Sequence, residues 1–491
     1  MSRGRFGRGV AGATLTLSGA VASFCALYAL CIACRADTRP AILAAILAIG
    51  LGRRERVQNV GQAALACLRI AGIAVAASAI GSLLLVKPLA GAGVFVGAIF
   101  LSVYVRKFGE RARSLGALVA LPLVAMLIVP APALAAPGGR LVDLALVLAA
   151  GVVALAFVTA LQWLGPRVGP ARDAAGPRAS AGRAPAARAA PAAPGPRRLS
   201  PSTRMALQMA VALAAAFASG FAIFPGHWGW CVLTAFIVSS GARGRGDALY
   251  KAALRLLGAL GGTLAAATLV HLWAPRGVAE AVTIFGILFA GLALRDLSYA
   301  YWAACTTLIL ALLASGQSGF DLALLGTRLE AILAGALCAV AATWFVVPIR
   351  TEAVVRRRLA DLLVAFDDVI SHAASGEHER ADKRAQFEHH MAELASVAPP
   401  VRWHRRFFAR KDDANHPARW IDLATGLREH VDATPAPASL SATRTTKIRR
   451  AIGISRRAIA SHGNPELTQD RPRIGDALVQ LHAELERFGE R

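Results

Sequence analysis

From Val10 to Phe345 the chain is a near-continuous succession of apolar runs, and this limits the folds open to it. A run of about 20 apolar residues spans the hydrocarbon of a bilayer as a helix, where each segment satisfies its own backbone groups. Twelve segments are legible. In the first half they lie near 10–34, 40–52, 60–86, 89–105, 114–130 and 141–164. In the second they lie near 205–224, 228–240, 248–273, 278–294, 299–314 and 322–347. Those at 40–52 and 228–240 are short for a crossing: they extend into their flanks, or they are partial helices shielded by neighbours, so eight or ten spans stay open. The expected fold is all-α and polytopic.

Composition agrees. Hydrophobic residues make up 56% of the chain and charged residues 17%, whereas soluble domains average about 45–50% and about 25%. A net charge of +24 would point to nucleic acid in a soluble protein. Here the arginines sit between the apolar runs, where they fix topology and meet anionic headgroups, so lipid is the expected partner and nucleic acid is not. Cys25, Cys31, Cys34, Cys67, Cys231, Cys305 and Cys338 all lie in or beside apolar segments, away from the loops a disulfide framework would use. Cys31 and Cys34 form a C-x-x-C with no second ligand pair, so no metal site is expected. The basic start "MSRGRFGRG" leads into Val10–Cys34 and reads as a retained first span.

Lysine and arginine crowd alternate connections, at 1–9, 53–56, 106–113, 166–204 and 243–251. The other connections and span ends hold Arg35, Arg39, Lys87, Arg140, Arg276 and Arg328. The positive-inside rule then puts both termini in the cytoplasm and gives each half an even number of spans. The halves also resemble each other. "LRIAG" at Leu68–Gly72 recurs as "LRLLG" at Leu254–Gly258, and "GRRER" at Gly52–Arg56 parallels "GARGR" at Gly241–Arg245. Phe100 and Arg106 match Phe289 and Arg295, and Arg140 matches Arg328. Two parallel repeats of about six helices are a transporter architecture, with the pathway commonly at the repeat interface.

Four regions follow: a first transmembrane repeat at 1–165, a basic disordered cytoplasmic linker at 166–204, a second repeat at 205–348, and a cytoplasmic helical domain at 349–491. The linker holds seven arginines and one acid between residues 166 and 200 among many alanines, prolines and glycines. Helical periodicity returns in "VVRRRLADLLVAFDDVI" and "RIGDALVQLHAELERF".

Arg255 lies about two turns into its span. An arginine in hydrocarbon costs roughly 2.5–3.5 kcal/mol on insertion scales, so its place needs a reason. It snorkels to phosphates, or faces the bundle and draws an anion, or satisfies helix-end carbonyls. Arg69 stands at the matching place in the first half. Gly258 and Gly262 form a G-x-x-x-G, and Gly72 with Ala76 forms its counterpart, spacings that let helices approach closely. Asp143 and Glu330 are acids at the head of the sixth and twelfth segments. Each is a proton-carrier candidate or half of a local ion pair with Arg140 or Arg328. His227 and His271 flank the outer face, where Trp228, Trp230 and Trp273 mark an aromatic belt. No nucleophile–base pattern, phosphate loop or dinucleotide fingerprint is present, so neither an enzyme nor an ATP-driven pump is expected, and no cofactor.

"GWCVLTAFIV" (Gly229–Val238) followed by "ALRLLGALGGT" (Ala253–Thr263) resembles the fusaric acid resistance and aromatic acid exporter family. There a Trp and a Thr in one span precede an R-x-x-G-T-x-x-G signature in the next. The matching positions are Trp230, Thr234, Arg255, Gly258 and Gly262, with Ala259 in place of the threonine. "SYAYWAACTTLILAL" (Ser298–Leu312) and "TRLEAILAGALCAVAATWFVVP" (Thr327–Pro348) match the later spans. The family's acid three residues after the arginine is replaced by Ala331, with Glu330 one place earlier. The resemblance implies an inner-membrane exporter of aromatic and other hydrophobic carboxylates, often working with a periplasmic adaptor. Whether the chain forms a homo-oligomer stays open at the level of sequence. Arg69, Arg255, Thr234 and Trp230 would line the substrate path, and Asp143 and Glu330 would couple protons. Two other readings use the same residues differently: a passive organic-anion channel selecting by fixed charge, and a membrane scaffold in envelope assembly that passes no solute.

Overall fold

Helix is the only regular element among the described residues, as alanine- and leucine-rich runs that satisfy their own backbone groups require. The computed structural model describes residues 3–36, 39–51, 60–128, 140–168, 199–273, 275–295, 297–318, 322–372, 376–409, 416–433, 442–461 and 472–489. Most of the basic linker, residues 169–198, therefore lies outside the described residues. The chain divides into two compact units. One comprises Met1–Arg172, Pro196–Ala242 and Lys251–Val347, and the other includes Arg243–Tyr250 and Pro348–Arg491.

The first unit holds α1 (Arg3–Ala33), α2 (Arg39–Leu51), α3 (Val60–Val86), α4 (Pro88–Tyr104), α5 (Glu110–Ile128) and α6 (Arg140–Val168). It continues with α7 (Pro201–Ile223), α8 (Trp228–Ser239), α9 (Arg245–Leu272), α10 (Val278–Leu294), α11 (Tyr299–Ser318) and α12 (Leu322–Phe345). Among the described residues, five helices are long and apolar enough to cross a membrane: α1, α4, α7, α9 and α12.

The two short segments form short helices. At 1.5 Å per residue, α2 and α8 are only about 20 Å long, less than the roughly 30 Å of hydrocarbon. Protein covers them instead. Cys231, Val232, Leu233, Thr234, Ala235 and Val238 of α8 are all buried, as are Ala41, Leu43, Ala44, Leu47 and Ala48 of α2. The covering helices are α7 and α12 for α8, and α1 and α6 for α2. The same three-helix cluster thus occurs once in each half.

Contacts between the halves are paired too. α4 packs on α7, where Phe95 meets Phe217 edge-on with ring centroids 5.6 Å apart. α10 packs on α1, where Phe285 meets Phe24 in the same manner, also at 5.6 Å.

Local chemistry sets the helix ends. Pro201 opens α7 with the Ser200 hydroxyl accepting from the Thr203 N–H at 3.2 Å, an N-cap with proline at its first position. At the far end of its neighbour, the buried Gln208 amide donates to the Val346 and Val347 carbonyls at 2.9 and 3.2 Å. Those carbonyls follow the end of α12, where no further turn of helix supplies a donor.

The second unit is built from α13 (Thr351–Ser371), α14 (Glu377–Ala395), α15 (Ala398–Phe407), α16 (Pro417–Ala433), α17 (Ala442–Ser461) and α18 (Ile474–Gly489). Val355, Leu359, Leu362, Phe366 and Ile370 recur every three or four residues on α13 and enter one core. Phe387 and Met391 of α14, Trp420 and Ile421 of α16, Ile452 of α17 and Leu481 of α18 complete it. Arg243–Tyr250 belongs here: the Gly246 N–H donates to Thr351 Oγ1 at 2.9 Å, and Tyr250 packs on Trp403 at 5.8 Å.

Candidate functional site

The site grows from the two faces of α9. Leu257, Leu260 and Leu264 form an exposed stripe, suited to lipid. Ala248, Ala252, Arg255, Ala259 and Ala266 recur at helical spacing on the opposite, buried face. Arg255 therefore points into the bundle. At 2% exposure it is among the largest fully buried side chains, enclosed by protein.

What brings α11 against that face is glycine. A methyl group at Gly258 would stand 2.5 Å from the Ala303 Cβ, and one at Gly262 would collide with the Ala304 carbonyl. Both contacts rise together along the two chains, so α9 and α11 run in the same direction. Arg255 Nη1 donates to Thr306 Oγ1 at 3.4 Å, while that hydroxyl donates to the Ala303 carbonyl at 3.0 Å. Gly335 of α12 makes the matching approach to the Cys231 carbonyl of α8.

Arg328 supplies a second cation. It lies on the buried face of α12 with Ala331, Ile332 and Ala339, and is also 2% exposed. Its guanidinium carbon sits 3.7 Å above the centroid of the Trp230 ring, a cation–π stack. The charge of Arg255 acts on it. Arg255 Nε, Arg328 Nε and Arg328 Nη2 are buried with no hydrogen-bond partner among the described residues. The hydroxyls of Thr234, Thr263 and Thr307 are in the same condition. No described acid pairs with either arginine. A buried unpaired polar group costs about 1–3 kcal/mol and a charged one more, so buried guanidinium groups with unmet donors have the chemistry of an anion site.

The other sequence candidates are placed apart. Glu330 is exposed on α12, two residues from Arg328 and on another face, and forms no ion pair with it. Asp143 falls in α6, but its side chain, like that of Arg140, lies outside those described. Arg69 of α3 is exposed. No described atom stands within 4 Å of a methyl built at Gly72, so Gly72 marks no close helix crossing comparable with those at Gly258 and Gly262. Arg328 was the residue that sequence reasoning undervalued, since "RLE" reads most simply as a local ion pair. The signal available was its match to Arg140 and its i, i+3 and i+4 relation to Ala331 and Ile332. The thiols of Cys231 and Cys338 both contact Ser219 Oγ, at 3.4 and 3.6 Å.

Trp230, Thr234, Arg255, Gly258, Gly262 and Arg328 all fall within one matched stretch of chain. Residues 209–342 match the family described as fusaric acid resistance protein-like. No curated protein matches the chain significantly. The fusaric acid resistance-like segment runs from within α7 to within α12 and contains every residue of the buried cluster. The match supports a membrane protein with a transport or efflux role.

Proposed function

We propose that the chain is a secondary exporter of aromatic or other hydrophobic organic acids in the bacterial inner membrane, with both termini cytoplasmic and the proton gradient as driving force. The observation that carries this is the pair of buried guanidinium groups, Arg255 and Arg328, with unmet N–H donors and no described carboxylate beside them. A carboxylate substrate supplies the missing acceptor and charge. Arg255 attracts it from one helix pair and Arg328 from another, and Trp230 holds the Arg328 fork flat. Thr234, Thr263 and Thr307 offer hydroxyls to its polar edge, and the apolar walls suit a hydrophobic body.

The two halves are parallel repeats in this reading, supported by the twice-formed three-helix cluster and by the reciprocal Phe95–Phe217 and Phe24–Phe285 contacts. Export against a gradient then takes its proton from an acid: Glu330 or Asp143. A periplasmic adaptor, lipid and further copies of the chain are the expected partners.

Inverted membrane vesicles test the proposal. Acidifying the lumen should drive uptake of a labelled aromatic carboxylate above the external concentration, and a protonophore should abolish it. Arg255→Gln and Arg328→Gln should each cut uptake at least about tenfold, the scale of losing one charge-assisted hydrogen bond, while Arg255→Lys keeps part of it. Uptake that only dissipates a carboxylate gradient would make the protein a channel, and normal uptake by both glutamine variants would remove the site.

A further inference from the structure

The second unit carries a groove separate from the buried arginine cluster, about 640 Å³ in volume, between α13 and α17. Its polar lining is Asp367 of α13 with Thr445, Thr446, Arg449, Arg450 and Arg456 of α17. Arg449 Nε donates to Asp367 Oδ1 at 3.1 Å, which fixes one guanidinium at the rim. No described acid pairs with Arg450 or Arg456. Three arginines against one aspartate leave two positive charges on the groove.

Its floor is Ile452 and Gly453. Gly453 stands mid-helix, four residues after Arg449 and three before Arg456, so it lies between them on one face. Glycine in a helix interior is unfavourable relative to alanine. Packing does not account for it here, because a methyl built at Gly453 meets no described atom within 4 Å. The effect of the missing side chain is a notch that exposes helix backbone between two arginines.

We infer that this groove binds a phosphate-bearing anion. The charge matches: a phosphate monoester carries about two negative charges at neutral pH, whereas a carboxylate carries one. The geometry matches as well, since guanidinium forks pair with phosphate oxygens bidentately and the Gly453 notch lets a tetrahedral group approach the helix closely. The phosphate comes either from a soluble molecule or from a lipid headgroup, and the chemistry of recognition is the same. This site does not depend on what the membrane unit transports.

Hydrogen–deuterium exchange on the full-length protein in phosphatidylcholine nanodiscs tests it. Pyrophosphate should slow exchange across α17 and the Asp367 turn of α13 in a saturable, salt-sensitive way, and an equal concentration of acetate should not. If only nanodiscs containing phosphatidic acid give that protection, the ligand is a headgroup. Arg450→Gln with Arg456→Gln should weaken half-saturation at least about thirtyfold. Gly453→Leu should weaken it at least about tenfold while leaving the melting temperature unchanged or raised, because it fills the notch and favours helix. Protection by neither pyrophosphate nor phosphatidic acid overturns the inference. So does protection that survives in both variants.

Discussion

Arg255 and Arg328 are costly residues to fold around. Each is buried at 2% exposure, and their like charges act on each other without a described acid between them. A buried charge with no partner carries a desolvation cost that an apolar side chain of similar volume avoids. Arg328→Met should therefore melt at the same temperature or higher in detergent while losing organic-acid transport. A lower melting temperature would make Arg328 a structural residue. His430 in the second unit gives a separate test. Burial holds its pKa below the usual histidine value, and the charge of His482, whose ring lies 5.6 Å away, adds to this against the opposing pull of Glu486 and Glu429. The unfolded chain thus binds a proton more readily than the folded unit does. Stability should be full above the unfolded value of about 6.5, fall as pH drops through it, and level off below the lowered folded value. Exchange rates of α16 and α18 amides in the intact protein between pH 5 and 8 measure this, and His430→Gln should flatten the profile.

At the scale of helices, the decisive contacts are those where no side chain intervenes. Gly258 and Gly262 bring α9 onto Ala303, Ala304 and Thr307 of α11, and Gly335 brings α12 onto the Cys231 carbonyl of α8. In hydrocarbon, helices associate by packing rather than by a hydrophobic drive, so such crossings carry much of the stability. Overpacking a filled interior costs typically about 1–3 kcal/mol, and backbone-to-backbone crossings have least room to yield. Gly262→Leu and Gly335→Leu should lower the melting temperature and the folded yield, whereas Gly72→Leu should be tolerated. Fluorescence-detected size-exclusion chromatography after a heating series reads all three. The short helices α2 and α8 follow the same logic, because an element shorter than the hydrocarbon depends on neighbours to cover its ends.

Among the described residues, twelve α-helices precede a unit with its own hydrophobic core. The proposed topology is even-numbered in each half, so the linker and the C-terminal unit share one side. In a background lacking native cysteines, Ser180→Cys and Ser441→Cys should react with an impermeant maleimide only after the membrane is opened, and Ser318→Cys should react in intact cells. Labelling of Ser180→Cys from outside would break the parallel-repeat reading and with it the pairing of α4–α7 with α10–α1.

Much of this was legible residue by residue. Hydropathy periods are local, so "VVRRRLADLLVAFDDVI" already specified an amphipathic helix, and the lengths at 40–52 and 228–240 already showed two helices shorter than the hydrocarbon is thick. The small residues of "LRLLGALGG" likewise announced a close crossing. Which face meets which partner is not a local property. "LRIAG" and "LRLLG" look alike along the chain, yet Arg255 is buried with Gly258 against α11, while Arg69 is exposed and Gly72 meets no described atom. Arg328 and Glu330 are neighbours in sequence, but helical rotation puts one over the Trp230 ring and leaves the other exposed. Nor does hydropathy assign Arg243–Tyr250 to the second unit, since only the contacts of that stretch with Thr351, Ser396 and Trp403 do so. Burial, charge proximity and unmet hydrogen bonds are sums over neighbours distant in sequence, and they exist only once the helices have packed.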